Sequence, residues 1–193
     1  MLFRSRSQLA NQPRPINTVK TYGADAGRFG NDRDGLERWW RHLIGGAAGV
    51  RFHRPDSGLG FSAKAEASIR AARKLAAEIA FWQVSPAQNL LRNREPNEAY
   101  LTADPGKAYL LYFPNGGSVE LDLRSHRGTF TLRWLDLTHG DWAGRDSVAG
   151  DDWRSITAPA QNHWVALIQP ATVGLLGRTE NWPQWRGPRG DGT

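Results

Sequence analysis

The chain has 193 residues, 39% of them hydrophobic, with 25 Lys+Arg against 19 Asp+Glu and a net charge of +6. This is enough apolar content to pack a core, which argues against disorder of the whole chain, and the length admits one ordinary domain or two small ones. The absence of cysteine excludes disulfides, thiolate metal sites and a Cys nucleophile. The most apolar stretches, 43–50 and 71–82, are broken by glycine or charge and fall well short of the ~20 apolar residues of a membrane-spanning helix. The charge is one-sided: residues 1–96 hold 16 basic and 8 acidic residues, and residues 97–170 hold 6 and 9. The basic residues are mostly dispersed arginines without a run among them, so no nucleic-acid partner is read from them.

In chain order, residues 14–25 read as a short β-favouring strand and its exit loop, broken by Gly23 and Gly27. Asn31, Asp32 and Asp34 supply cap and first-turn residues for a helix over 34–44. Leu36, Trp39, Trp40 and Leu43 form its apolar face, and Gly45-Gly46 its end. A second strand is predicted at 49–53, then a loop over 55–60. Ser62 caps a helix over 63–80 that carries Ile69, Ala72, Leu75, Ala76 and Ile79 on one side. Alternating strands and helices argue for parallel strands joined by crossover helices. Two such units cannot close a sheet, so they read as the end of a larger α/β domain truncated on its N-terminal side.

Residues 83–98 read as an irregular connector. Beyond it come short strands at 108–113, 118–123 and 129–135, with Asn115-Gly116 as a hairpin signal between the first two. Val119, Leu121 and Leu123 alternate with Glu120 and Asp122, and Phe130, Leu132 and Trp134 with Thr131 and Arg133, the pattern of a sheet with one buried face. Further strands at 154–157 and 163–168 complete a small antiparallel β-sandwich over 99–170. Residues 171–193 read as a linker or the start of a further domain. Met1-Leu2-Phe3-Arg4-Ser5 can be encoded by a common sequencing-adapter end, so residues 1–11 read as an assembly artefact or a disordered start.

Polar groups gather at the strand ends of the first half, where loops of parallel α/β folds converge. Lys20, Tyr22 and Asp25 follow the first strand; Arg51, His53, Arg54 and Asp56 follow the second. They serve either as a site or as a structural cluster in which Arg51 and Arg54 pair with Asp25 or Asp56. Two carboxylates across a scissile bond are what a glycosidase needs, and Asp25 and Asp56 are the pair available. Asp32 and Asp34 are read as helix-cap residues. The histidines show no metal-ligand spacing, and no metal or cofactor is assigned. Aromatic rings can stack on sugars. Of the four β-domain tryptophans, Trp134 and Trp164 read as core, leaving Trp142 and Trp153 as exposed ligand-binding candidates together with Arg51 and Arg54.

Arg14-Pro15-Ile16-Asn17-Thr18-Val19-Lys20-Thr21-Tyr22-Gly23-Ala24-Asp25, Asp34-Gly35-Leu36-Glu37-Arg38-Trp39-Trp40 and Arg51-Phe52-His53-Arg54-Pro55 resemble the C-terminal part of a bacterial apiosidase-like glycoside hydrolase barrel. The runs 108–123, 128–134 and 162–168 resemble the β-sandwich that follows such barrels, a module labelled a collagen-binding domain of a collagenase. The resemblance implies an α+β chain: the last two β/α units of a truncated (β/α)8 barrel over 12–82, then the sandwich. It implies a parent with a carboxylate nucleophile near the end of the seventh strand. Lys20 stands near the matching position and cannot play that part, so Lys20, Tyr22, Asp25 and His53 are the catalytic candidates of a chain expected to be inactive alone. The resemblance also implies an extracellular or periplasmic location and a carbohydrate or other extracellular polymer as partner. Trp182-Pro183-Gln184-Trp185-Arg186-Gly187-Pro188 resembles the opening of quinoprotein-like β-propellers.

Overall fold

A computed structural model of the protein describes residues 15–23, 30–54, 58–60 and 62–171. Asp25, Asp56, residues 1–11 and the propeller-like segment at 182–188 lie outside the described residues. The chain begins with β1 (Asn17–Thr21), α1 (Asp32–Ile44), β2 (Gly49–Phe52) and α2 (Ala63–Glu78). Both helices start where their caps dictate. The Asn31 side chain accepts from the Asp34 N–H at 3.0 Å while the Asp34 carboxylate accepts from the Asn31 N–H at 2.9 Å, a complete capping box. Ser62 Oγ accepts from the Ala65 N–H at 3.3 Å. Caps of this kind each contribute about 1 kcal/mol.

Nine strands follow: β3 (Ser85–Pro86), β4 (Leu91–Arg92), β5 (Tyr100–Asp104), β6 (Ala108–Phe113), β7 (Ser118–Asp122), β8 (Thr129–Asp136), β9 (Asp141–Ala149), β10 (Trp153–Thr157) and β11 (Trp164–Pro170). They build a six-stranded antiparallel sheet in the order β3-β5-β6-β11-β8-β9 and a three-stranded one in the order β10-β7-β4. The last strand, β11, lies in the interior of the larger sheet, between β6 and β8.

The six-stranded sheet is apolar on both faces. Tyr109, Leu111 and Phe113 of β6, with Trp164, Ala166 and Ile168 of β11, point into the core between the two sheets. The alternate residues Leu110, Tyr112, Val165 and Leu167 point the other way and pack with Trp39, Trp40 and Ile44 of α1, and with Ala65, Ala71 and Leu75 of α2. Trp40 is fully buried, and its indole N–H donates to Ser68 Oγ at 3.2 Å, tying α1 to α2. Trp39 stacks on Phe52 of β2 with ring centroids 5.2 Å apart.

This arrangement corrects the expected fold class. Among the described residues there are eleven strands in three sheets, two α-helices and no closed barrel. The last two β/α units of a truncated (β/α)8 barrel are therefore not what the chain builds. The parallel pair β1–β2 forms a two-stranded sheet by itself, too small to bury two amphipathic helices. The helices instead cover the outer face of the six-stranded sheet.

Asn115-Gly116 also departs from expectation. It is not a hairpin turn, because β6 belongs to the six-stranded sheet and β7 to the three-stranded one. The turn carries the chain between sheets, with Gly116 and Gly117 at φ +67° and +111°. The Gly116 N–H donates to the Asn162 carbonyl at 2.9 Å, and the Ser118 N–H donates to the Glu98 carboxylate at 2.9 Å. Four strands come from segments read otherwise: β3 and β4 from the connector, β5 from 100–104, and β9 from turn-like sequence.

Truncating Leu110 to Ala in the whole chain is expected to cost about 2–5 kcal/mol in denaturant unfolding. The isolated fragment 83–171 is expected to bind a hydrophobic dye and self-associate, because Leu110, Tyr112, Val165 and Leu167 lose their cover. A monomeric, dye-silent fragment with the unfolding midpoint of the intact chain would show that the helices are not part of this core.

Candidate functional site

The structure distributes the sequence candidates over separate places. At the ends of the parallel strands β1 and β2, Tyr22 and His53 come together with ring centroids 4.7 Å apart. The His53 N–H donates to the Thr21 carbonyl at 3.0 Å, which continues the strand pairing by one residue. Lys20, Arg51 and Arg54 are exposed on the same small sheet.

Trp134 and Trp164 are core, as their alternation indicates. Trp142 sits opposite Leu135 across the β8–β9 ladder and is half-buried against the helix-side core. The Arg133 guanidinium lies 3.8 Å from its ring centroid and pairs with Glu78 of α2 at 3.0 Å. Trp142 is thus a hinge of packing between β9 and α2. A second link joins the same elements, where Lys74 pairs with Asp141, and Gly140 (φ +74°) brings the turn so close that a Cβ there would meet the Ala67 carbonyl.

Trp153 lies on the far side of the molecule. It pairs with Asp122 in the three-stranded sheet, whose inner face is Val119, Leu121 and Ile156. The outer face carries Trp153, Ser155 and Thr157 of β10 beside Asp122, Glu120 and Ser118 of β7. Arg92 of β4 and Arg124 hold their guanidinium carbons 4.1 and 4.9 Å from the Trp153 ring centroid. Each guanidinium is anchored in turn. Arg92 reaches Glu120 at 2.7 Å, with Asn93 on the same carboxylate, and Arg124 makes two bonds to Asp122 at 3.0 and 2.8 Å. The Arg124 guanidinium holds the Asp122 carboxyl below the ordinary carboxylate range. Ser118 shares hydroxyl contacts with Ser155 at 3.1 Å and Thr157 at 2.8 Å. The result is an electrically balanced face in which one indole is fixed by two cations and flanked by hydroxyls.

The sequence singles out Trp153 but not its neighbours. Arg92 fell in a segment read as connector, and Arg124 in a turn. The signal available was the period-two pattern of residues 118–123, which puts Ser118, Glu120 and Asp122 on a solvent face.

At one end of the sandwich, where the helical layer meets the β6–β7, β8–β9 and β10–β11 loops, lies a cleft of about 280 Å³. His163 lines it, and its Nδ1 lies 3.2 Å from the Tyr112 hydroxyl. Burial pushes the Tyr112 phenol well above its ordinary range, so it stays protonated and can donate to His163. Burial also lowers the His163 pKa, keeping the ring neutral. Among the described residues no cluster of three or more His, Asp or Glu could hold a metal, and no helix is long and apolar enough to cross a membrane.

A two-sheet sandwich with a helical layer over one sheet is an architecture shared with solved glycoside hydrolases. A glycoside hydrolase family 5 chain from Bacteroides vulgatus ATCC 8482 superposes with a TM-score of 0.66 at 15% identity, covering 93% of this chain and 47% of that one. A second glycoside hydrolase chain gives a TM-score of 0.64 at 14% identity, covering 90% and 46%. The protein spans less than half the length of these chains, and at such identities the likeness is one of fold. Within the chain, residues 85–169 match the family described as "Putative collagen-binding domain of a collagenase". No curated protein matches the chain.

His163 makes stability pH-dependent. Its folded pKa lies below the unfolded value of about 6.5, so its contribution is complete above that pH and is lost as pH falls toward the folded pKa. His42, also lowered mainly by burial, acts in the same direction. The thermal midpoint is expected to drop between about pH 7 and pH 5, and His163→Gln to remove the His163 share of that drop. An unchanged drop in the variant would assign it to other groups.

Proposed function

We propose that the chain is a non-catalytic accessory module of an extracellular glycoside-hydrolase-like protein, and that it holds an extracellular polymer against the outer face of its three-stranded sheet. The observation that carries this is Trp153, fixed by Arg92 and Arg124 in a solvent-facing sheet, within the segment that matches the collagen-binding family. An indole held in one orientation loses little freedom on binding, and the part of its surface that the two guanidiniums leave open suits the apolar side of a sugar ring or an imino-acid-rich peptide. Ser118, Ser155 and Thr157 offer hydroxyls along the strands for a ligand running across them. The balanced charge of the face favours a neutral polymer such as a polysaccharide over a polyanion.

In this reading Lys20, Tyr22 and His53 are surface groups of the helical layer, and glycosidic hydrolysis belongs to the remainder of a longer protein. The family resemblance and the matched domain support an extracellular or periplasmic location for such a protein.

Pull-down of the whole chain on insoluble polysaccharides and on fibrillar collagen is expected to retain it on one of these matrices. Trp153→Ala is expected to weaken retention about tenfold or more, whereas Trp142→Ala lowers the unfolding midpoint and leaves retention intact. Equal retention of the Trp153 variant and the parent chain would remove this face from the proposal. Release of reducing sugar by the purified chain would overturn the non-catalytic assignment.

A further inference from the structure

The cleft at the helical end of the sandwich is separate from the Trp153 face. Its wall carries two cations, Arg33 of α1 and Lys64 of α2, facing Asn115, Gln161, Asn162 and the neutral ring of His163. No carboxylate lines it among the described residues. Each cation is paired with a carboxylate outside the cleft lining: Arg33 with Glu37 at 3.0 Å, and Lys64 with Asp32 at 2.6 Å. Both cationic side chains are more than half exposed (53% and 55%), and each commits only one N–H donor to its carboxylate, of the five a guanidinium and the three an ammonium carries.

The opposite wall is fixed. The Leu137 N–H donates to the His163 carbonyl at 3.1 Å, the Gly116 N–H to the Asn162 carbonyl at 2.9 Å, and the Asn162 amide to Thr138 Oγ1 at 2.7 Å. Leu36 and Leu137 supply apolar surface. At about 280 Å³ the cleft lies near the lower end of the usual range for small-molecule sites, roughly 300–1,000 Å³. An amide-rich wall suits ring hydroxyls, apolar patches suit C–H faces, and paired cations suit one anionic group.

We infer that this cleft binds the carboxylate-bearing ring of an acidic sugar, a hexuronate, with Arg33 and Lys64 on the carboxylate and Asn115, Gln161 and Asn162 on the hydroxyls. His163 faces the same space and closes its inner end. Around it stand Tyr112 from β6, Glu37 and Arg41 from α1, and Asp136 from β8. A protein that holds a mainly neutral polymer on one face thereby gains a second contact for an occasional uronate side group.

The test is an NMR titration of the whole chain with D-glucuronate and D-galacturonate, against D-glucose, D-galactose, N-acetyl-glutamate and inorganic sulfate at matched ionic strength. A uronate is expected to shift the His163 ring and the Asn115 and Asn162 side-chain amides saturably, with the neutral sugars much weaker. Arg33→Gln and Lys64→Gln are each expected to weaken that binding about tenfold while the far-ultraviolet circular dichroism stays unchanged. Equal shifts with neutral sugars, with sulfate or with N-acetyl-glutamate would overturn the assignment, the last in favour of an acidic peptide. Variants that bind as the parent does would overturn it too. Because Trp153 takes no part, failure here leaves the polymer-binding face untouched, and failure there leaves the cleft.

Discussion

A sheet that is apolar on both sides has to be covered twice. The six-stranded sheet imposes that requirement through strands such as β6, in which all six residues are buried. Its even-numbered residues need one layer and its odd-numbered residues another. The three-stranded sheet covers one face and the helices α1 and α2 the other. At roughly 1.5–3 kcal/mol for each large aliphatic side chain withdrawn from water, neither cover can be removed without leaving several such side chains exposed. The short parallel pair β1–β2 is attached to this arrangement through Phe52, stacked on Trp39.

What was legible in the sequence follows from how local each signal is. Helix caps are set by three or four adjacent residues, and Asn31, Asp34 and Ser62 act where they were read. Strands with clean alternation, such as Ser118–Asp122 and Thr129–Asp136, were found within a residue. The pairing between them was not legible. Asn115-Gly116 has hairpin chemistry, yet the strand before it is wholly apolar and the strand after it alternates. Those two patterns belong to a central and an outer sheet, a contrast that outweighs the turn. β9 escaped notice because an edge strand with one exposed side needs no apolar period, and Asp141–Ala149 is held by its ladder with β8. The barrel expectation failed for a related reason. Strand–helix alternation states which elements exist, while the strands that bury the helices, β6 and β11, lie far further along the chain.

The candidate sites were legible only as single residues. Trp153 was visible as a tryptophan in turn-like sequence, but the arginines that orient it come from β4 and from beyond β7, which only the folded sheet brings together. Tyr22 and His53 were placed correctly at neighbouring strand ends. The cleft drew no attention, because Arg33, Lys64, Asn115 and His163 come from four distant segments. At both surfaces the cations are paired with carboxylates, Arg92 and Arg124 around Trp153 and Arg33 and Lys64 at the cleft, but the cleft lining itself holds no carboxylate among the described residues. The net charge of +6 therefore says little about either one.

The position of β11 has a consequence for how the molecule comes into being. Among the described residues it is the last strand in chain order, yet it lies between β6 and β8 and carries the pairing of both. Until residue 170 has left the ribosome, β8 and β9 have no attachment to β5 and β6 within the sheet. α1 and α2, made earlier, meet Leu110 and Tyr112 of β6 before Val165 and Leu167 of β11 complete their cover. Contacts of such long sequence separation close slowly, and exposed apolar surface during that interval invites association. The larger sheet is therefore completed by insertion of β11 between two strands already made, rather than by addition at an edge.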